Sequence, residues 1–138
     1  MSHLDAVRPE CRVIVGLGVR PKFRAQWNFR QPDLTVTCRP NQKGSKGIPD
    51  PSVVIEVLSP SNVSDTWDNV RNYMTVPSVT EIVVFHSTRV FAQVLVRKDD
   101  GCWPDDPTDL KGRDTLQLQS LAFSMSVSGA YRGTYLQT

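Results

Sequence analysis

Two short β-branched runs, each carrying one acid, constrain this chain more than any other feature. The first is Gln31-Pro32-Asp33-Leu34-Thr35-Val36-Thr37-Cys38, and the second is Ser52-Val53-Val54-Ile55-Glu56-Val57-Leu58-Ser59-Pro60-Ser61. Val, Ile and Thr fit the pleated, half-buried surface of a sheet, so both runs read as buried strands. Asp33 opens the first behind a proline, and Glu56 sits inside the second between Ile55 and Val57. A carboxylate in a buried strand costs several kcal/mol unless it is paired or binds a metal. Two on neighbouring strands repel and raise each other's pKa. A divalent cation between them removes both costs. The plainer alternative is an acid that caps a strand end or joins a salt bridge, and the two runs alone leave both open.

Further residues narrow the choice. Pro32-Asp33, the string Ile55-Glu56-Val57-Leu58-Ser59-Pro60-Ser61, then Asp65, Tyr73 and Pro77-Ser78-Val79 together resemble the Uma2 family, part of the PD-(D/E)xK nuclease superfamily. The resemblance runs over about residues 11 to 136, and Glu-Val-Leu-Ser-Pro-Ser is its most specific part. It implies a restriction-endonuclease-like α/β fold, with a mixed central β-sheet flanked by helices. It also implies a metal-dependent DNA endonuclease that hydrolyses phosphodiester bonds with Mg²⁺ or Mn²⁺. Asp33 and Glu56 would then be catalytic acids and metal ligands, the Val57 carbonyl would be a further ligand, and Ser59 and Asp65 would support them. Family members usually begin earlier, with a hairpin and a helix, so the chain is expected to be an N-terminally shortened member.

One departure concerns the superfamily's lysine. Leu58 fills the position two after Glu56, where that lysine normally stands. Uma2 members commonly carry it on the following helix instead, four residues before the tyrosine. Counted back from Tyr73, that position is Asn69, which can hydrogen-bond but carries no charge. Lys43 or Lys46 could stand in from the preceding loop. This departure and the expected N-terminal shortening motivate a second reading from another class: a catalytically impaired nuclease-fold binding module, pairing as a homodimer through an open sheet edge.

At 138 residues and 39% apolar, the chain is sized for one globular domain, expected over 11–138 behind a short helical tail at 1–10. No run approaches the ~18 apolar residues of a membrane span, and the first residues have no signal-peptide character. A cytoplasmic location is the default expectation. Cys11, Cys38 and Cys102 are odd in number with no CxxC spacing, so neither a disulfide framework nor a zinc site follows, and Cys38 reads as a small buried residue.

The net charge of +2 hides an asymmetry. Arg12, Arg20, Lys22, Arg24, Arg30, Arg39, Lys43 and Lys46 lie between Cys11 and Ile48, with Asp33 the one acid among them. Such a basic half suits a phosphate-binding surface, with Arg30, Lys43 and Lys46 as DNA contacts, or equally a solvated edge. Acids instead dominate from Asp99 to Asp114, with Asp99-Asp100-Gly101 read as a turn and Asp105 to Asp114 as an acidic connector.

Further elements follow from pattern. Cys11 to Leu17 reads as a strand, and Arg39 to Pro51 as a proline- and glycine-rich loop. A helix is expected over about 64 to 74, capped by Ser61 or Ser64, with Trp67, Val70 and Met74 facing the core and Asp65 and Asn69 on the other side. Glu81 to Phe85 and Arg89 to Lys98 make a hairpin, with His86 a structural histidine before the turn. Thr115 to Leu118 is an edge strand, and Leu121 to Tyr131 a last strand or helical turn. No GxSxG, GxxxxGK[ST] or HExxH is present.

Overall fold

The computed structural model of the chain describes residues 12–15, 33–38 and 50–132, the first stretch by its backbone alone. Six strands lie side by side in sequence order: β1 (Arg12–Val15), β2 (Leu34–Thr37), β3 (Pro51–Leu58), β4 (Glu81–His86), β5 (Phe91–Val96) and β6 (Thr108–Lys111). All neighbours are antiparallel except β3 and β4. That parallel pair needs a crossover, supplied by α1 (Val63–Tyr73). A two-stranded sheet, β7 (Thr115–Leu118) with β8 (Phe123–Ser126), completes the described part. The architecture is therefore α/β with a mixed central sheet, as the sequence leads one to expect.

The middle of the sheet is buried on both faces, which is why β3 reads as a nearly continuous apolar run. Val70 and Tyr73 of α1 pack on Val54, Leu58, Val79, Ile82, Val84 and Leu95. On the opposite face Val53, Val83, Ala92 and Val94 pack against Leu116, Leu118, Leu121, Val127 and Tyr131 from the β7–β8 region. The period of two therefore sends even-numbered residues of β3 toward α1 and Val53 away from it.

Several expectations need correction. The acidic connector contains β6, an edge strand whose Thr108, Asp109 and Lys111 are exposed. An edge tolerates charge, so no apolar alternation marks it. The helix begins and ends one residue early, and Asn62 rather than a serine holds its N-cap position. Its fully buried face is Thr66, Val70 and Tyr73, with Trp67 and Met74 only partly buried beside it. The 121–131 region is neither one strand nor one turn, because short 3-10 turns at Gln119–Leu121 and Ser128–Tyr131 bracket β8. Cys38 is disulfide-bonded and half-buried, not a plain buried residue, while Cys102 is free and exposed. An odd cysteine count carries no pairing signal; the fold decides which sulfurs meet.

No helix among the described residues is long and apolar enough to cross a membrane. The expected tail at 1–10, the loop over 39–49, and Arg30, Lys43 and Lys46 lie outside the described residues.

Candidate active site

Asp33 and Glu56 are brought together by strand register. β2 and β3 pair Leu34 with Ile55 and Thr35 with Val54, so one further step sets Asp33 opposite Glu56. The Asp33 Oδ2 atom accepts the Val57 N–H at 2.7 Å, which ties this exposed acid to the β3 backbone. Glu56 shares the α1 face with Val54 and Leu58 and is only 5% exposed. From α1, the fully buried Tyr73 donates its hydroxyl to Glu56 Oε1 at 2.7 Å.

These surroundings push the Glu56 carboxyl up to about 7. Burial is the main cause; the Tyr73 hydrogen bond pulls the other way, and the Asp33 charge and a carboxyl–carboxyl hydrogen bond add to the rise. Near neutral pH Glu56 is therefore about half protonated, where an ordinary carboxyl would be ionised.

That state fits a divalent cation. Hard cations take carboxylate and carbonyl oxygens, and a dication would replace the proton shared at the pair. Alongside, the Thr35 hydroxyl is buried with no hydrogen-bond partner among the described residues. Register puts it on the same face, two residues along β2 from Asp33. A hydrated ion at the pair would give that orphan a water to bond. Among the described residues no group of three or more His, Cys, Asp or Glu gathers, so an ion at this pair would have two carboxylates and a backbone carbonyl to draw on.

Other expected site residues fall at different distances from this pair. Asn69 is half-buried, and Thr66, Asn69 and Tyr73 follow one another at i, i+3 and i+7 along α1. This row puts Asn69 on the flank of the helix that carries the Glu56 partner. Ser59 ends the strand: its N–H donates to Asn62 Oδ1 at 2.7 Å, and its hydroxyl lies 3.2 Å from that of Ser61. Asp65 is exposed in the first turn of α1, where a negative charge complements the helix dipole. No hydrogen bond among the described residues joins Asp65 to the carboxylate pair.

Sequence reading used Tyr73 only as a marker for spacing and so missed its contact with Glu56. The available signal was physical: a buried phenol needs a partner, and a buried acid needs a donor. Glu81 was passed over altogether. It is 2% exposed at the start of β4, and it accepts the Gln119 and Ser120 N–H groups at 2.9 and 3.1 Å and the Ser120 hydroxyl. Its role is to cap the 3-10 turn at Gln119–Leu121.

Comparison with known proteins bears on the family and the fold. The family model described as "Uma2: Putative restriction endonuclease" matches residues 1–128. "Uncharacterized protein slr1290" of Synechocystis sp. (strain ATCC 27184 / PCC 6803 / Kazusa) is 34% identical over 108 residues, 77% of this chain and 56% of that protein. The chain thus spans about half the length of the curated relative it matches. The fold is similar to the crystal structure of "a putative nuclease belonging to DUF820" from Anabaena variabilis ATCC 29413. The TM-score is 0.65 over 91% of this chain and 72% of the other, at 13% identity, a likeness that carries the fold alone.

Proposed function

The chain belongs to the Uma2 family, and from that membership we propose that it is a metal-dependent endonuclease hydrolysing phosphodiester bonds in DNA. The observation that carries the reading is the pairing of Asp33 with a buried Glu56 whose carboxyl is pushed up to about 7. An acid held in that state, beside a second acid and away from any cation among the described residues, is costly to fold and calls for a ligand.

In this reading Asp33, Glu56 and the Val57 carbonyl hold Mg²⁺ or Mn²⁺. The ion would supply charge neutralisation at the attacked phosphate and acidify the attacking water. The chain's own residues position the acids. The Val57 N–H fixes Asp33 Oδ2, and the Tyr73 hydroxyl fixes Glu56 Oε1. Asn69 offers a hydrogen-bonding amide on the Tyr73 flank of α1, without the charge a lysine would bring. Ser59 and Asp65 act indirectly, by ending β3 and by starting α1.

Nicking of supercoiled plasmid and of single-stranded DNA, with Mg²⁺ and then Mn²⁺, tests the proposal. The parent nicks, and Asp33→Ala and Glu56→Ala each lose at least about a hundredfold in rate. Equal rates in parent and variants would assign the activity elsewhere.

The second reading, a binding module without turnover, is favoured by one observation: an uncharged Asn69 on the flank where the family's cation would sit. Calorimetry with Mg²⁺ separates the two, since an inert module binds no metal in the millimolar range. The cytoplasmic location suggested by the sequence meets one opposing sign, the disulfide at Cys38, because such bonds persist in oxidising surroundings. The thiol state of Cys38 in cells decides between them.

A further inference from the structure

The hairpin joining β4 to β5 carries a cluster that the proposed chemistry does not use. Arg89 is exposed and lays its guanidinium over the Phe91 ring, 4.0 Å from the ring centre. His86 meets the same ring edge-on at 4.8 Å. Lys111, exposed on β6, is the register partner of Phe91, and directly opposed residues in a ladder share a face. A guanidinium and an imidazole thus contact one aromatic ring, and a second cation stands opposite it in the ladder.

The cluster is built rather than incidental. Tyr131 holds the hairpin from beneath: its hydroxyl lies 2.6 Å from the His86 carbonyl and 2.9 Å from the Phe91 carbonyl, and accepts the Phe91 N–H at 3.3 Å. The His86 ring bonds Gln93 Oε1 through Nε2 at 2.8 Å, and Gln93 donates to Asp109 at 3.0 Å. A carboxylate only accepts, so Asp109 fixes the Gln93 amide with its oxygen toward His86, and His86 carries its proton on Nε2. The nearby acids are already engaged, Asp109 by Gln93 and Asp114 by the Lys111 N–H at 2.7 Å.

Its place on the sheet gives the cluster its meaning. Glu56 pairs with Val84, and Val84 pairs with Gln93, so the α1 face carries the carboxylate and the cluster together. Phe91 stands two strands and two residues along from Glu56, about 12 Å by strand geometry. An arginine stacked on an aromatic ring keeps its planar fork free for phosphate.

We propose that Arg89 and Lys111, set around Phe91, form a phosphate-binding element that seats the sugar-phosphate backbone of the nucleic acid beside the point of cleavage. This deepens the endonuclease reading and rests on it. The element also gives a role to Lys111, a rare cation within the acidic 99–114 stretch.

The test is binding of a short fluorescein-labelled DNA duplex to the full chain in EDTA, with salt varied from about 50 to 200 mM. Each lost phosphate contact lowers the slope of log affinity against log salt by about one unit. Arg89→Gln and Lys111→Gln are each expected to lower it so, and the double variant by about two. Lys98→Gln, an equal charge loss at the far end of β5, is expected to leave the slope unchanged. A parent that binds and nicks DNA while the double variant keeps the full slope overturns this element alone. So does a Lys98→Gln loss as large as that of Arg89→Gln, since that would make the effect one of overall charge. A parent that nicks with Mg²⁺ but binds no DNA in EDTA overturns this element alone, and one that neither binds nor nicks overturns the element and the endonuclease reading together.

Discussion

The Tyr73 hydroxyl reaches across the interface between α1 and β3 to donate to Glu56 Oε1 at 2.7 Å. Both residues are buried, so this bond is made in a low-dielectric setting where leaving it unmade is expensive. It joins the helix that packs the core to the acid proposed to hold metal. Tyr73→Phe keeps the ring and removes the donor. Urea melts are expected to show a loss of about 1–3 kcal/mol. Because the bond holds the Glu56 carboxyl down, its removal should raise that pKa further. Mn²⁺ binding near neutral pH should then weaken more than the melt alone accounts for. Unchanged Mn²⁺ affinity would restrict Tyr73 to packing.

The raised Glu56 carboxyl makes a signed prediction about pH. Its folded value, about 7, exceeds its ordinary 4.5, so the folded state holds this proton more tightly than the unfolded chain does. The associated stability is complete below about pH 4.5 and is lost as pH rises through 7. The full span corresponds to a loss on the order of 3 kcal/mol. In EDTA, the parent is therefore expected to melt at lower temperature at pH 8 than Glu56→Gln does, relative to each protein's own melt at pH 5. Added Mg²⁺ should restore much of the parent's loss at pH 8, because the ion replaces the proton. A parent and variant with parallel pH profiles would remove Glu56 as the source.

Glu81 supplies the contrast. It is as buried as Glu56, yet backbone N–H groups and a serine hydroxyl already satisfy it. Glu81→Gln replaces an acceptor oxygen by an NH₂ group that faces donors. The expected cost is about 2–3 kcal/mol, with Mg²⁺ affinity unchanged. A variant that folds as well as the parent but loses metal affinity would move the site from Glu56 to Glu81.

These two glutamates also show what the sequence could and could not carry. β3 was legible because its Val-Val-Ile-Glu-Val-Leu run is apolar and branched, so an acid inside it stands out. Glu81 opens a similar run, Ile-Val-Val-Phe, but at a strand end, where acids are ordinary. What makes it buried is the arrival of residues 119 and 120, about forty positions away, and no local pattern encodes that. β6 was hidden for the same reason, since an exposed edge strand is defined by its neighbour β5 rather than by its own hydropathy. On α1 the Trp67, Val70 and Met74 stripe drew attention to the large apolar side chains. The helix is in fact turned so that Thr66, Val70 and Tyr73 are the buried row. A threonine and a phenol can face inward here because Glu56 gives the phenol its partner.

That rotation sharpens the last prediction, which concerns Asn69. The position is half-buried on the row between Thr66 and Tyr73, nearer the carboxylate flank than a purely solvent-facing residue would be. A lysine there can lay its stem along the apolar helix surface and carry its charge toward Glu56 and Asp33. The stability change on Asn69→Lys is expected to stay within about 1 kcal/mol. A well-placed cation facing charge that develops in the transition state contributes on the order of 3 kcal/mol, or about a hundredfold in rate. Asn69→Lys is therefore expected to raise metal-dependent nicking of plasmid by about that factor. Adding Glu56→Ala to Asn69→Lys should abolish the gain, because the cation then has no loaded site to assist. Equal nicking rates in Asn69→Lys and the parent, with both folded and both binding Mn²⁺, would place the family's missing charge somewhere other than this turn of α1.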